Sequence, residues 1–363
     1  MRPRGCGHRR RSVQTYGRPS MDIAFFHHYS LSHAGGGERF ITELANFLSD
    51  RGHAVEVHAL PFRRRDVPIQ LEGNVPYCEK WFHRSKTEIA YHVYAPTVSR
   101  LFLHKGPRIA GLHGAVVMDF ESPAAFYLRQ GAFVAGAYVV RRSLGSRYLS
   151  GFDAVHAVSP IDLTHPRLYV LPNWVACSNS CRALELKKER GDTFTVLYVG
   201  KPSYTKGFDM FVAVSESCQA NDVRFVAVFP PDPKFNHQGK VEWMGYVPHE
   251  QMWEVYARAS VLLHPTRQET FGRVILESLA SGTPVITTPI PCHQALGLDL
   301  DYASTVPEMR LKLEGMYARW KSDYAAYLRA ANEAVESVAR YDSQVLLPRY
   351  ESMFREVLSD GIS

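Results

Sequence analysis

The chain has 363 residues, 45% of them hydrophobic and 21% charged, an ordinary composition for a soluble globular protein and enough length for two domains with cores of their own. Its formal charge of +6 sits in the opening "MRPRGCGHRRRSVQTYGRPS", which has six arginines and no acid; the balanced remainder excludes a body-wide nucleic-acid-binding surface. No apolar run nears the ~18 residues of a membrane span, and the six scattered cysteines lack partners at zinc-site spacing, so they read as reduced cytosolic thiols.

The arm over residues 1–20 has no apolar core of a secretory signal. It reads as a disordered tail or as sequence upstream of a start at Met21, with a targeting or membrane-surface role as the other reading. From Met21 onward strand and helix signals alternate. "DIAFFHHY" is a strand, "SHAGGGE" a glycine loop, and "RFITELANFLSDRG" a helix with Phe40, Leu44, Phe47 and Leu48 on one face and Gly52 as its stop. "HAVEVHAL", "RIAGLHG", "FDAVHAVS" and "RLYVLPN" are further strands, each closed by a turn former. Residues 123–147 read as a helix rich in aromatic and small residues.

At "LPNWVACSNSCRALELKKERGD" the periodicity lapses, which marks a linker over 174–191. The alternation then restarts with the strand "TFTVLYVG", the loop "SYTKG" and the helix "FDMFVAVSESC". The strands "VRFVAVFPP" and "VEWMGYVP", the helix "HEQMWEVYARA", the strand "SVLLHPT", the loop and helix "ETFGRVILESLASG" and the strand "PVITTPI" follow. Two series of βα units with near-continuous apolar strands predict two doubly wound parallel sheets, an α/β fold. They place a first domain over 21–173 and a second over 192–343. Residues 307–358 read as helical, with a break near "RYDSQVLLP".

Ligands of open α/β sheets bind beyond the carboxyl ends of the strands. Gly36 and Gly37 follow the first strand and open a helix, where backbone can approach an anion closely; a plain turn explains them equally well. Lys201 and Lys206 flank the loop after the first strand of the second half, a pair of cations suited to a diphosphate or else two solvated lysines. His113 stands at a strand end between glycines, where packing is the commoner role of a histidine. Phe271 and Gly272 begin a helix whose first N–H groups lack intrahelical partners. Glu269 lies just outside that helix and Glu277 more than one turn inside, where an unpaired buried carboxylate is costly. A salt bridge on a half-exposed face accounts for Glu277. So does a ligand with hydroxyls at both ends and phosphate in the middle, which describes a sugar nucleotide.

These residues resemble the retaining glycosyltransferases of family 4. The most specific part is "HPTRQETFGRVILESLASGTPVITT", two acids separated by seven residues and followed by Ala-x-Gly-x-Pro-Val-Ile. "AGGGERF", "LHG", "AVSP", "LPNWV" and "YVGKPSYTKGFD" support it, and the match runs from about Met21 to Leu358. The resemblance implies the GT-B fold: two Rossmann-like domains facing across a cleft, with a C-terminal helix (344–358) crossing back to the first domain. It implies that Glu269 holds donor-sugar hydroxyls, Glu277 the nucleotide ribose, and Lys206 the diphosphate. Lys201 stands where an arginine is usual. Phe271 and Gly272 would offer amides near sugar and phosphate, Gly36 and Gly37 would admit the donor phosphate or acceptor, and His113 would face the donor sugar. Among these, His113, Glu269 and Lys206 are the expected catalytic residues.

Trp174 replaces a glycine usual in such chains, and Gln294 stands near the place of a usual acid. The activity implied is retaining transfer from a nucleoside diphosphate sugar to an acceptor hydroxyl by a front-face route. No cofactor or metal is expected. The acceptor is a glycan, a lipid-linked group or a small molecule. The location implied is cytoplasmic, and the stretch 120–142 leaves peripheral membrane contact open beside its reading as a core or interface helix. An epimerase of the same fold and a non-catalytic sugar-nucleotide-binding protein are the alternatives.

Overall fold

The computed structural model describes residues 20–33, 35–61, 69–93, 102–114, 149–189, 191–229 and 240–360, with a few isolated positions between 135 and 147. The arm and most of the aromatic stretch 120–142 lie outside them. The first half runs β1 (Asp22–His27), α1 (Gly36–Asp50), β2 (Ala54–Ala59), β3 (Tyr77–Glu79), β4 (His83–Arg84), β5 (Ile89–Val93), β6 (Phe102–Leu103), β7 (Arg108–Leu112), β8 (Ala154–Ala157) and β9 (Leu168–Val170). After α2 (Ser180–Lys188) the second half runs β10 (Phe194–Val199), α3 (Phe208–Ser217), β11 (Val223–Val228), β12 (Val241–Trp243), α4 (His249–Arg258), β13 (Val261–His264), α5 (Arg273–Ala280), β14 (Val285–Thr287), α6 (Pro291–Gln294) and β15 (Asp301–Tyr302). Three helices close the chain, α7 (Val306–Ser322), α8 (Tyr324–Ser337) and α9 (Ser343–Asp360).

Two parallel sheets result. The first has the order β3-β2-β1-β5-β7-β8-β9 and the second β12-β11-β10-β13-β14-β15; β4 and β6 pair separately. Each order reverses direction beside its first strand, between β1 and β5 and between β10 and β13, which is where doubly wound sheets open a crevice for ligands. The central strands are buried on both faces, as in parallel sheets covered on both sides: every residue of β5, β8 and β13 is buried.

The strands β3, β4 and β6 are short and lack a clean apolar run, so periodicity does not reveal them. The expected linker over 174–191 contains the nine-residue helix α2. Its exposed face is so polar that no apolar stripe marks it, and it is fixed instead by Lys187, which is buried against the second half.

Helix α9 returns to the first sheet, as the resemblance implies. Phe354 packs against Phe25 and Tyr91 at ring-centroid distances of 5.9 Å, and Tyr350 against Phe40 at 5.4 Å. Glu351 is met by Arg51 at 2.6 Å and His53 at 3.2 Å. One apolar core therefore runs from β1 and α1 through Trp174 and α9 to Phe271, Ile275 and Leu276 of the second half. A second core, built on Phe194, Phe208, Phe211 and Trp320, lies within the second half.

Candidate active site

The carboxyl ends of β10 and β13 lie side by side and carry the loops 200–207 and 265–272. Arg267 ties these loops together: its N–H donates to Thr205 O at 2.9 Å, and its guanidinium forks onto Asp209 at 2.6 and 2.7 Å while stacking on Tyr204. Gly207 is required here. Its φ is +66°, and a Cβ would stand 1.8 Å from Pro265 O. This clamp brings the Lys206 ammonium into direct ion-pair contact with Glu269. Burial raises the Glu269 pKa, but Lys206 and His264 outweigh it and hold the carboxyl at about 2. His264 lies 3.9 Å from that carboxylate, and His293 packs on His264. Burial keeps both imidazoles neutral, at about 3 and about 4.

Phe271 and Gly272 stand just before α5 rather than within it. Gly272 is the N-cap with φ +97°, so the first helical N–H belongs to Arg273, while Phe271 is buried against Tyr341. Glu277 is held from two directions. Arg39 of α1 donates to its Oε1 at 2.8 Å and Tyr256 of α4 to its Oε2 at 2.9 Å. Glu43 bridges Arg39 at 3.3 Å and Arg273 at 2.7 Å, so the acids and arginines alternate across the boundary between the halves. Burial raises the pKa of Glu277, but Arg39, His249 and Arg273 bring it below the ordinary carboxylate value. This network borders a cavity of about 560 Å³ that is also lined by Trp174 and His249. Glu269 and Lys206 do not line it; they lie at the other end of the Glu269–Glu277 segment.

His113 closes the site from the first half. Its backbone carbonyl accepts from Thr270 Oγ1 at 2.9 Å, while Ser159 Oγ donates to Thr270 O at 2.8 Å. Two strand ends of the first sheet thus grip the residue next to Glu269. Burial, with His156 and His27 nearby, keeps His113 well below the usual histidine range. Gly37 is buried and Gly36 exposed at the start of α1; a Cβ on Gly36 would meet open space. Lys201 stays exposed on the loop that carries Lys206, and Gln294 is exposed on α6. Trp174 is buried against Phe40 at 5.1 Å and Tyr350 at 5.2 Å, with Arg273 over its ring.

The structure thus gathers Glu269, Lys206 and His113 around Thr270, places Phe271 and Gly272 between the two acids, and gives Glu277 a partner from the other half. Sequence reading misses Arg39, Arg273, Tyr256, His264, His293 and Thr270. Arg39 carries a signal in hindsight, since it follows the glycine loop directly, but nothing in its spacing names Glu277, 238 positions away, as its partner.

Residues 193–299 match the family described as glycosyl transferases group 1. The phosphatidylinositol N-acetylglucosaminyltransferase gpi3 subunit of Schizosaccharomyces pombe is 31% identical over 292 residues, 70% of this chain and 63% of that protein. The chain therefore spans under two thirds of that relative. The 2-deoxystreptamine N-acetyl-D-glucosaminyltransferase of Streptomyces fradiae is 25% identical, covering 90% of this chain and 91% of the other. Among solved structures, Anabaena HepE in complex with UDP and glucose superposes with a TM-score of 0.67 at 14% identity, over 93% of this chain and 99% of that one. The chain is thus a GT-B-fold protein of two Rossmann-like halves, related to the glycosyl transferases of group 1.

Proposed function

We propose that this protein is a retaining glycosyltransferase that moves a sugar from a nucleoside diphosphate sugar to an acceptor hydroxyl. The observation that carries this reading is the pair of ionised, cation-capped carboxylates, Glu269 with Lys206 and Glu277 with Arg39, on either side of the α5 N-terminus. A sugar nucleotide matches that array group for group. Its ribose hydroxyls suit Glu277, its diphosphate suits Lys206, the helix start and the nearby Lys201, and its sugar hydroxyls suit Glu269.

On this reading the chain's work is positioning and charge stabilisation. As the bond from the anomeric carbon to the diphosphate breaks, negative charge grows on the leaving oxygen. Lys206 and the amides before α5 stabilise it. The acceptor hydroxyl approaches from the same face, and its proton passes to the departing phosphate oxygen. His113 is neutral and so serves as a hydrogen-bonding group toward the sugar rather than as an acid. The grip of His113 and Ser159 on Thr270 holds the halves together and keeps water from the donor. No metal enters these steps.

The two curated relatives above are named as N-acetylglucosaminyltransferases, and HepE was solved with UDP and glucose. UDP-linked N-acetylglucosamine and glucose are therefore the first donors to test. Incubation with labelled sugar nucleotides and a panel of lipid, glycan and small-molecule acceptors should release free UDP with labelled acceptor. Interconversion of the sugar without UDP release would indicate an epimerase. Binding without turnover across the whole panel would leave only a sugar-nucleotide-binding protein.

A further inference from the structure

Part of the first sheet is covered by a two-stranded ribbon. β4 and β6 pair only with each other, in the register His83 with Phe102 and Arg84 with Leu103. In each strand the first residue is buried and the second exposed. The inner side chains stack on the sheet: Phe102 lies 4.8 Å from the Phe26 ring of β1, and His83 lies 4.8 Å from the His58 ring of β2. The alternation continues past β4, with Ser85 and Thr87 buried and Lys86 exposed. Ser85 Oγ and Thr87 Oγ1 are 2.8 Å apart, and His104 Nε2 is 2.8 Å from Thr87 O. The ribbon is thus fixed from within, and its outer face is a defined surface.

That outer face is both apolar and basic. Phe82 is 75% exposed, the highest value for a large apolar side chain among the described residues, with Leu103 at 63% and Trp81 at 53%. Lys80, Arg84, Lys86 and Lys105 are exposed beside them. The segments "KWFHRSKT" (80–87) and "FLHKGPR" (102–108) contain no acid. The acids at the margins have partners: Glu79 accepts from Ser30 Oγ at 2.6 Å and Tyr77 OH at 2.7 Å, and Glu88 accepts from Asp22 N at 2.9 Å. Glu56 faces His58 at 2.9 Å. Glu88 N also donates to Asp22 O at 2.9 Å, so the segment with six arginines that precedes Met21 joins the body beside the end of the ribbon.

We infer that the outer face of the β4–β6 ribbon is a docking surface for an anionic lipid bilayer. The centre of a protein–protein interface is depleted of charge. Here Arg84 is the register neighbour of Leu103, and Lys80 adjoins Trp81 in the chain. Such interleaving suits a headgroup layer, where apolar side chains enter the interface and long cationic ones reach the phosphates. Trp81 and Phe82 begin at the carboxyl edge of the first sheet, because Lys80 N donates to Ala59 O, the last residue of β2, at 3.1 Å. This docking goes beyond the transferase reading and does not depend on it, since vesicle binding is measured without a sugar donor.

Flotation of the full-length protein with phosphatidylcholine vesicles, with and without phosphatidylserine, tests the surface. The wild type should bind the phosphatidylserine vesicles and be partly released by high salt. Phe82→Ser/Leu103→Ser should lower partitioning at least about tenfold, and Arg84→Glu/Lys105→Glu at least about fivefold. Both double variants should melt at the wild-type temperature, because the replaced side chains are exposed. Brominated lipid should quench part of the wild-type tryptophan fluorescence, and Trp81→Phe should abolish that quenching. A wild type that ignores phosphatidylserine vesicles overturns the inference without any variant. Wild-type partitioning by Phe82→Ser/Leu103→Ser overturns it too, since the basic segment before Met21 would then bind by itself. Quenching that survives in Trp81→Phe places the contact elsewhere. A self-association that the Phe82→Ser/Leu103→Ser change dissolves, with no vesicle binding, would assign the face to a second copy of the chain instead.

Discussion

Arg39 of α1 holds Glu277 of α5 at 2.8 Å, joining the two halves of the molecule at the carboxylate proposed for the ribose. Both groups are largely buried, and Glu43 and Arg273 extend the contact into a chain of alternating charge. Glu277 therefore carries a salt bridge, yet not the half-exposed surface one that sequence alone allows. Arg39 supplies the ion-pair partner of a largely buried carboxylate.

If Arg39 is a placeholder, its removal and that of Glu277 should have opposite signatures. Glu277→Gln is expected to weaken UDP binding by at least about tenfold, the effect of losing hydrogen bonds to a charged acceptor. Arg39→Met should keep UDP affinity within about threefold and instead lower stability by about 2–3 kcal/mol, because it strands a buried carboxylate. Titration calorimetry and thermal melts on both variants separate the effects. Full UDP affinity in Glu277→Gln would sink the ribose assignment.

The acids also set a pH response. Glu43 and Glu269 are both held at about 2, below the 4.5 of an unperturbed glutamate. For a depressed carboxyl the folded state binds the proton less readily than the unfolded state. Its stabilisation is complete above about pH 5 and lost as pH falls from there toward 2. Each acid contributes on the order of 2 kcal/mol across that window. Melting temperature should therefore drop steeply below pH 5 in the wild type and less steeply in Glu43→Gln. Parallel curves for the two proteins would contradict the assignment.

Lys187 makes a prediction at the other end of the pH scale. Its ammonium is buried and caps the end of α4, donating to Ala257 O at 3.0 Å and Ala259 O at 2.8 Å. Burial pushes its pKa down to about 7, against 10.5 for a free lysine. Between those values the unfolded chain holds more protons than the folded one, so stability should rise as pH climbs from 7 toward 10. Lys187→Met should remove this dependence. Melts at pH 6.5, 8 and 9.5 measure the slope, and a wild-type slope of zero or of opposite sign would refute the account.

How far the sequence reaches can be seen residue by residue. β1, β10 and β13 are legible because continuous apolar runs end at turn formers, and the acid pair is legible because Glu269 and Glu277 straddle a helix start. Chain-local signals are enough for both. What the sequence hides is pairing over long separations. Arg39 with Glu277, Thr270 with His113, and Tyr91 with His156 each depend on which strand ends the topology brings together. α2 is hidden for another reason: its single deeply buried long side chain is a lysine, which a search for apolar periodicity discards. Tyr91 escapes because, within the fully buried strand "IAYHV", an aromatic residue reads as core until Gly111 reveals that its hydroxyl crosses the neighbouring strand.

Two glycines now make contrasting predictions. Gly207 is fixed by the protein itself, since φ is +66° and a Cβ would collide with Pro265 O. Gly207→Ala should cost about 3 kcal/mol through overpacking and strain, and it should displace Lys206 from Glu269. Gly36 has no such constraint; its Cβ would meet open space. Gly36→Ala should leave stability unchanged or raise it by about 0.5 kcal/mol, because alanine loses less backbone freedom at a helix start. If Gly36 is glycine so that a ligand phosphate or acceptor can approach the α1 backbone, this harmless change should still reduce turnover or UDP binding by at least about fivefold. Melting temperature and steady-state kinetics on the two variants decide it. A Gly36→Ala protein with wild-type kinetics would remove the first half's glycine loop from the site and leave donor binding to the second half alone.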